Sequence, residues 1–284
     1  MSAGLRDALG AALGAQVLEL QAVPGGDLNA AHRARLPGGR EVFVKSGTGG
    51  YAAEAASLRW LGEAGGGPPV PDVVAVQDDG FLALEWVAPG RLGAAGEEEL
   101  GRRLAALHRA GAPAHGWTPH GGPVRLGPLE LPSDPAPTFA AFYAASRLAP
   151  MTRAARDRGG LDAGQAAAVE AVAARIDDLA GPEEPPSRLH GDLWAGNVHA
   201  AADGRVLLID PAAHGGHREV DLAMLRLFGG PGERLHRAYA EVAPLAEGHE
   251  DRVGLWQLLP LLVHAALFGG GYGARAAAVA RSLA

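Results

Sequence analysis

Apolar and polar positions alternate over short runs in the first third of the chain. Beyond that they recur every three to four residues. Alternation marks a half-buried strand, and the longer period marks a helix packed on one face. The alternating runs fall at 16–23, 31–36, 40–45, 73–77 and 81–86. Pro37-Gly38-Gly39 and Asp78-Asp79-Gly80 sit between neighbouring runs as turn residues of two hairpins. Between the third and fourth runs, Ala55, Leu58, Trp60 and Leu61 follow helical spacing over 52–62, which stops at a glycine. Five strands with one inserted helix make a small lobe over residues 1–88.

After Pro89-Gly90 the pattern turns helical, so residues 89–284 form a larger helical lobe. Helices are expected over 97–109, 138–148, 162–179, 220–228, 232–242 and 251–268. Glu97-Glu98-Glu99 suits a helix N-terminus, and Asp162 with Gln165 has capping-box spacing. Residues 112–137, rich in Pro, Gly and His, are expected to be surface loop, and 205–212 holds one short strand. The fold class is α+β.

Composition narrows the function classes. A net charge of −7 argues against a nucleic-acid partner, which favours a basic face. Without cysteine, disulfides, thiolate chemistry and Cys-based zinc sites are excluded. The N-terminal residues lack the apolar core of a secretory signal. The most apolar stretch, 255–268, is short and holds Gln257, Pro260 and His264, so it reads as a buried helix rather than a membrane span. The cytoplasm is the expected address. In a chain rich in Ala, Gly, Pro and Arg, Lys45 is the only lysine, and Asn29 and Asn197 are the only asparagines. A residue type kept once against such a bias is a candidate for a task its substitutes cannot do.

Lys45 ends the run VFVK, where a strand-end ammonium can reach an anionic ligand and Glu54 of the next helix could orient it. Upstream, Gly25 and Gly26 lie in a turn whose backbone N–H groups could approach phosphates. The more specific signal is His190-Gly-Asp-Leu-Trp-Ala-Gly-Asn197, followed by Asp210 at the end of a strand. Asp192 can accept a hydroxyl proton, while Asn197 and Asp210 can hold magnesium; this is the set that phosphoryl transfer from ATP needs. A neutral amide oxygen binds the hard cation without adding charge. Glycine turn, strand lysine, helix glutamate, hinge, catalytic loop and metal aspartate come in the order found in kinases. No GxxxxGK[ST] motif is present. The interval between Asp210 and the helix near Val220 is too short for the peptide-holding segment of a protein kinase, so a small-molecule hydroxyl acceptor is expected.

HGDLWAGN at 190–197, Ile209-Asp-Pro211, GHREVDLA at 216–223 and Leu227-Phe-Gly-Gly230 together resemble the fructosamine/ketosamine kinases. These form part of the aminoglycoside-phosphotransferase-like branch of the protein-kinase-like fold. The resemblance extends from the Glu54–Leu58 helix, through Phe142-Tyr143 and Arg147-Leu148, to Leu267-Phe-Gly-Gly-Gly-Tyr272. It implies a bilobal protein-kinase-like fold and ATP- and Mg2+-dependent phosphorylation of a ketosamine at O3, which lets the adduct leave the amine. Lys45 held by Glu54 would meet the α/β-phosphates, and the backbone of Glu85, Trp86 and Val87 would meet adenine.

By family position Trp194 lines the sugar site, although a core place under the loop suits it too. His217 and Glu219 would border the acceptor pocket, and His264 fits either a substrate contact or a core position. His190 and Asp221 would support the catalytic loop. Where relatives often carry an aromatic pair, this chain has Ala213-His214-Gly215, which alters the sugar pocket. Where some carry a redox cysteine, it has Gly26-Asp27-Leu28. The expected partner is a ketosamine or glycated amine, either free or as a glycated protein lysine. Another hydroxylated amine such as an aminoglycoside, or nucleotide binding without catalysis, are the competing readings.

Overall fold

The computed structural model describes residues 2–24, 29–47 and 49–283. Gly25 and Gly26, assigned above to phosphate binding, lie outside the described residues.

The chain opens with helix α1 (Ser2–Leu13), which the strand-dominated reading of this region did not anticipate. Leu5, Leu9 and Leu13 recur at helical spacing and pack on the sheet beside Val42, Val44 and Phe81. Strands β1 (Glu19–Ala22), β2 (Ala30–Arg35), β3 (Glu41–Ser46), β4 (Val73–Gln77) and β5 (Phe81–Glu85) form one antiparallel sheet in the order β1-β2-β3-β5-β4. Helix α2 (Tyr51–Gly62) is inserted after β3. The β4–β5 turn holds its start: Asp78 Oδ1 accepts from the Ala52 N–H at 2.8 Å, satisfying one of the orphan donors of a helix N-terminus. The alternation seen in the sequence is real burial, with Val42 and Val44 inside and Lys45 next in line at the cleft edge.

The helical part runs through α3 (Ala94–Arg109), the small hairpin β6 (Val124–Leu126) and β7 (Leu129–Leu131), then α4 (Phe139–Tyr143). A π-helical turn over 144–148 carries α4 into α5 (Ala149–Asp157), so the helix expected over 138–148 continues a further nine residues. Thr138 caps it, accepting from the Ala141 N–H. The span expected as a single helix over 162–179 divides at Arg175 (φ −114°, ψ 17°) into α6 (Ala163–Ala174) and α7 (Ile176–Leu179). Its Asp162–Gln165 capping box is present, with bonds of 2.7 and 2.9 Å.

Strands β8 (Ser187–Leu189), β9 (Val198–Ala200), β10 (Val206–Leu208) and β11 (His214–Gly216) form two small pairs around the catalytic-loop sequence. Helices α8 (Glu219–Leu227), α9 (Glu233–Val242), α10 (His249–Phe268) and α11 (Tyr272–Ser282) complete the chain. The interval 112–137 departs from a plain surface loop. Val124, Leu129 and Leu131 are buried on one side of its hairpin, following a period-2 alternation around Gly127-Pro128.

Helix α10 is the buried helix expected from the apolar stretch, and Pro260 lies inside it. Proline lacks the N–H that would bond the Trp256 carbonyl. The Tyr143 hydroxyl supplies the donor instead, at 3.1 Å from that oxygen. Among the described residues no helix is long and apolar enough to cross a membrane.

Candidate active site

A cleft of about 1220 Å³ runs between the sheet and the helical part. On its sheet side, β3 ends at Lys45, whose Nζ lies 2.8 Å from Glu54 Oε2 of α2 and 3.2 Å from Asp210 Oδ1. Burial alone would push the lysine pKa down, but the two carboxylates outweigh it and hold the ammonium charged. Glu54 is pushed up by burial and by Asp210, and Lys45 opposes both.

The catalytic-loop sequence forms a tight turn. At Gly191 (φ 82°) a Cβ would collide with the Ala212 carbonyl oxygen, so only glycine lets the loop pass that backbone so closely. Asp221, at the start of α8, accepts the loop's two N–H groups, from His190 at 2.7 Å and Gly191 at 3.0 Å. Its carboxylate also meets His108 Nε2 at 3.1 Å, and His108 Nδ1 meets the Tyr239 hydroxyl at 2.8 Å. Burial would raise the Asp221 pKa, but these hydrogen bonds to the charged form outweigh it and hold the group ionised. His190 is fully buried and bonds the Ile209 carbonyl through Nε2 at 2.9 Å. Its Nδ1 accepts from the Asp192 N–H at 3.3 Å, which fixes the tautomer, and burial depresses its pKa. It is a strut.

Asn197 donates from Nδ2 to the Asp192 carbonyl at 2.7 Å and to Asp192 Oδ2 at 3.3 Å. That orientation turns the amide oxygen Oδ1 away from Asp192. The Ile209 N–H bonds the Asn197 carbonyl at 3.1 Å, so Asp210 is anchored beside the same turn. Asp210 has φ 54°, the one left-handed non-glycine conformation among the described residues. Strain of this kind concentrates at functional positions. Asp192 is pushed up to about 7, by burial first and by the Asp210 charge second, with the Asn197 bond pulling the other way.

Glu85, Trp86 and Val87 line the cleft at the connection between the two parts. Glu85 pairs with Arg205 at 3.2 Å, Arg33 lies over the Trp86 ring at 4.7 Å, and the Val87 carbonyl meets His199 Nε2 at 3.1 Å. Val23, Ala31 and Leu207 add apolar surface able to hold a planar base.

At the other end stands an aromatic wall. Trp194 is 38% exposed, with Phe228 edge-on to it at 6.5 Å. A side chain at Gly196 would collide with the indole, so that glycine seats the tryptophan. His264 packs against Phe228 at 4.6 Å and Tyr272 at 5.0 Å, and its Nδ1 bonds the Pro260 carbonyl one turn back. Both Trp194 and His264 line the cleft.

The structure separates His217 and Glu219 from the cleft. Glu219 is buried in a two-pronged pair with Arg252, at 2.6 and 2.9 Å, and accepts from Trp256 Nε1 at 2.8 Å. His217 stacks on the Trp256 ring at 5.5 Å, and burial lowers its pKa. Both side chains are buried in the core and neither lines the cleft.

Other cleft residues went unassigned in the sequence. Asn29 accepts from the Tyr51 hydroxyl at 3.0 Å, and its rarity was the available signal. His120 and Arg125, on or beside the β6–β7 hairpin, also line the cleft. The alternation around Gly127-Pro128 is the pattern from which they could have been placed.

Fold and site together define a kinase-like phosphotransferase: a five-stranded sheet with its lysine–glutamate pair, set over a helical part that carries paired aspartates and an asparagine. The comparisons carry this further. The profile of the fructosamine kinase family matches residues 2–284. A candidate ketoamine kinase of Synechocystis sp. is 36% identical over 194 residues, which cover 68% of this chain and 63% of that protein. The crystal structure of a candidate fructosamine-3-kinase of Thermobifida fusca superposes with a TM-score of 0.90 at 42% identity, covering 98% of this chain and 97% of the other. The aminoglycoside phosphotransferase APH(4)-Ia, 18% identical with a TM-score of 0.64, shares the fold over the full length of both chains. The chain belongs to the fructosamine kinase family.

Proposed function

We propose that this chain is an ATP-dependent kinase that phosphorylates O3 of a ketosamine and thereby promotes release of the amine. The observation that carries the reading is the convergence of Lys45, Glu54 and Asp210 in one ion-paired cluster, in the same cleft as Asp192 and Asn197. In this reading residues 1–88 hold the nucleotide, with its base between Val23 and Ala31 on the sheet side and Leu207 of the helical part, beside the 85–87 backbone. Residues 89–284 supply the catalytic loop and the acceptor site.

The donor set fits magnesium. Among the described residues no group of three His, Cys, Asp or Glu side chains forms a ready-made metal cage. Magnesium in phosphoryl-transfer sites is held by one or two protein oxygens with substrate phosphates completing the shell. Asn197 Oδ1 and the Asp210 carboxylate match that demand. When bound, the ion neutralises charge on the phosphate oxygens. Lys45 binds the same phosphates. Asp192 orients the O3 hydroxyl and receives its proton as O3 bonds the γ-phosphorus and the bond from that phosphorus to the bridging oxygen breaks, ADP leaving; in a loose transition state the proton transfer comes late. Asp221 holds the loop that aims Asp192. The Trp194 face covers the sugar ring and keeps water from the transferring group.

An aminoglycoside acceptor carries several ammonium groups and calls for matching carboxylates. Away from Asp192, Asp210 and Asp221, the wall at this end is Trp194, Phe228, His264, Phe268 and Tyr272, which offers apolar faces. Purified protein with Mg-ATP is expected to form ADP with fructosamines or ribulosamines, and Asp192→Ala to abolish this. ADP formation confined to aminoglycosides would overturn the reading. A chain that binds ATP but turns over no acceptor would be a nucleotide-binding module.

A further inference from the structure

The β6–β7 hairpin belongs to the helical part, yet its Arg125 lies against the sheet part. A Cβ built on Gly50, the residue before α2, would stand 2.8 Å from Arg125 Nε. The guanidinium therefore covers the first backbone of that helix. Glu54, which carries Lys45 and through it Asp210, is four residues further on, about 6 Å of helical rise. Arg125 thus stands at the lip of the cleft, with its neighbours Val124, Leu126 and Gly127 among the lining.

Local stability does not account for this placement. A cation at the positive end of a helix is disfavoured. Its ion-pair partner is Glu130, directly across its own hairpin at 2.9 Å, with the two side chains 38% and 53% exposed. An exposed pair of that kind is weak and readily exchanged. Lys45 and Arg125 are the two Lys/Arg side chains among the described lining residues, and Lys45 is committed to two carboxylates. An acceptor bearing its own negative charge would meet Asp192, Asp210 and Asp221 on the floor of this cleft. It needs a positive partner to enter, and Arg125 is placed to be that partner.

We propose that Arg125 is a specificity-determining residue that binds a carboxylate on the acceptor, so that the preferred substrates are ketosamines formed on the amino group of amino acids. The planar guanidinium matches a carboxylate with two parallel hydrogen bonds. The incoming group replaces Glu130, which is free to turn to water. The carboxylate of such an adduct is joined to C3 of the sugar by a short extendable chain through the amine. This proposal rests on the ketosamine-kinase reading and adds the chemistry of the amine substituent.

The test compares fructosyl-glycine with its glycinamide counterpart, which differ in the carboxylate alone, for the native chain, Arg125→Gln and Arg125→Lys. KM for ATP and the thermal midpoint are measured in parallel. The native chain is expected to favour the carboxylate in kcat/KM by roughly tenfold or more. Arg125→Gln is expected to bring that ratio close to one, and Arg125→Lys, which keeps the charge without the fork, to retain part of it. A native ratio near one overturns the proposal. So does equal loss on both acceptors in Arg125→Gln, or a raised KM for ATP with the ratio unchanged, which would make Arg125 a phosphate ligand or a structural residue. Absence of ADP formation by the native chain with either acceptor is a different result: it removes the ketosamine-kinase reading and this proposal with it.

Discussion

Asp192 keeps its carboxylate in a place where the charge is disfavoured, because burial and the neighbouring Asp210 push its pKa up to about 7. The unfolded chain releases the same proton near 3.8. Between those values the folded state binds more protons than the unfolded one, so the group's contribution to stability falls as pH rises through this window. Asp192→Asn removes the charge at similar size. It is expected to abolish turnover while raising stability at pH 8 by about 1–2 kcal/mol, less than the full shift implies because the group faces an open cleft. Urea denaturation at pH 8 and pH 5 checks this, with a clearly smaller gain at pH 5, where the native carboxyl is already protonated. A loss at pH 8, or equal gains at both, would show that the carboxylate is not held against its preference. The same cause predicts the kinetics. Asp192 accepts a proton only when ionised, so kcat/KM for the acceptor should fall at acid pH, where its carboxyl is protonated. A profile with no acid limb down to the pH at which the chain unfolds would remove Asp192 from the role of base.

Elements hold such residues in place, and two devices show how. Asp221 draws the backbone of the catalytic loop onto α8, and Tyr143 compensates Pro260 within α10. Tyr143→Phe leaves the Trp256 carbonyl without a donor in the core. It is expected to cost about 1–2 kcal/mol, read as a lower urea midpoint with an unchanged m-value. Support of the loop by Asp221 was expected from the family resemblance, whereas the Tyr143 device could not be foreseen from spacing, because it joins helices that lie far apart in the chain. Strand β3 and helices α2 and α3 were legible because each buries apolar side chains at its own period, and β5 and α10 because they are apolar nearly throughout. Helix α11 was not, since its buried positions are Gly273, Ala276, Ala277 and Ala280, which look like the alanine-rich remainder. At the site, Lys45, Asp192, Asn197 and Asp210 stood out by rarity and order in the chain. His217 and Glu219 were misplaced because membership of the 216–223 motif does not say whether a side chain faces the cleft or the core.

At the scale of the molecule, the lysine and glutamate of the sheet part meet the aspartate of the helical part only across the cleft, so the two parts are coupled through Lys45. A ligand that takes over these contacts binds the folded chain and not the unfolded one, and it must stabilise the fold by mass action. At a hundredfold excess over its dissociation constant the gain is about 2.7 kcal/mol, which for a chain of this size raises the midpoint by roughly 5 °C. Mg-ATP is expected to produce that shift in the native chain. Asp192→Ala should keep most of it, because in the proposed mechanism that carboxylate acts on the acceptor hydroxyl. Lys45→Met should lose it, because the phosphates then face Glu54 and Asp210 with no ammonium between them. Differential scanning fluorimetry on the three proteins, with and without Mg-ATP, separates the two roles. An equal shift in Lys45→Met would mean that the nucleotide does not reach the lysine, and the ion-paired cluster would then be a strut between the two parts rather than a phosphate site.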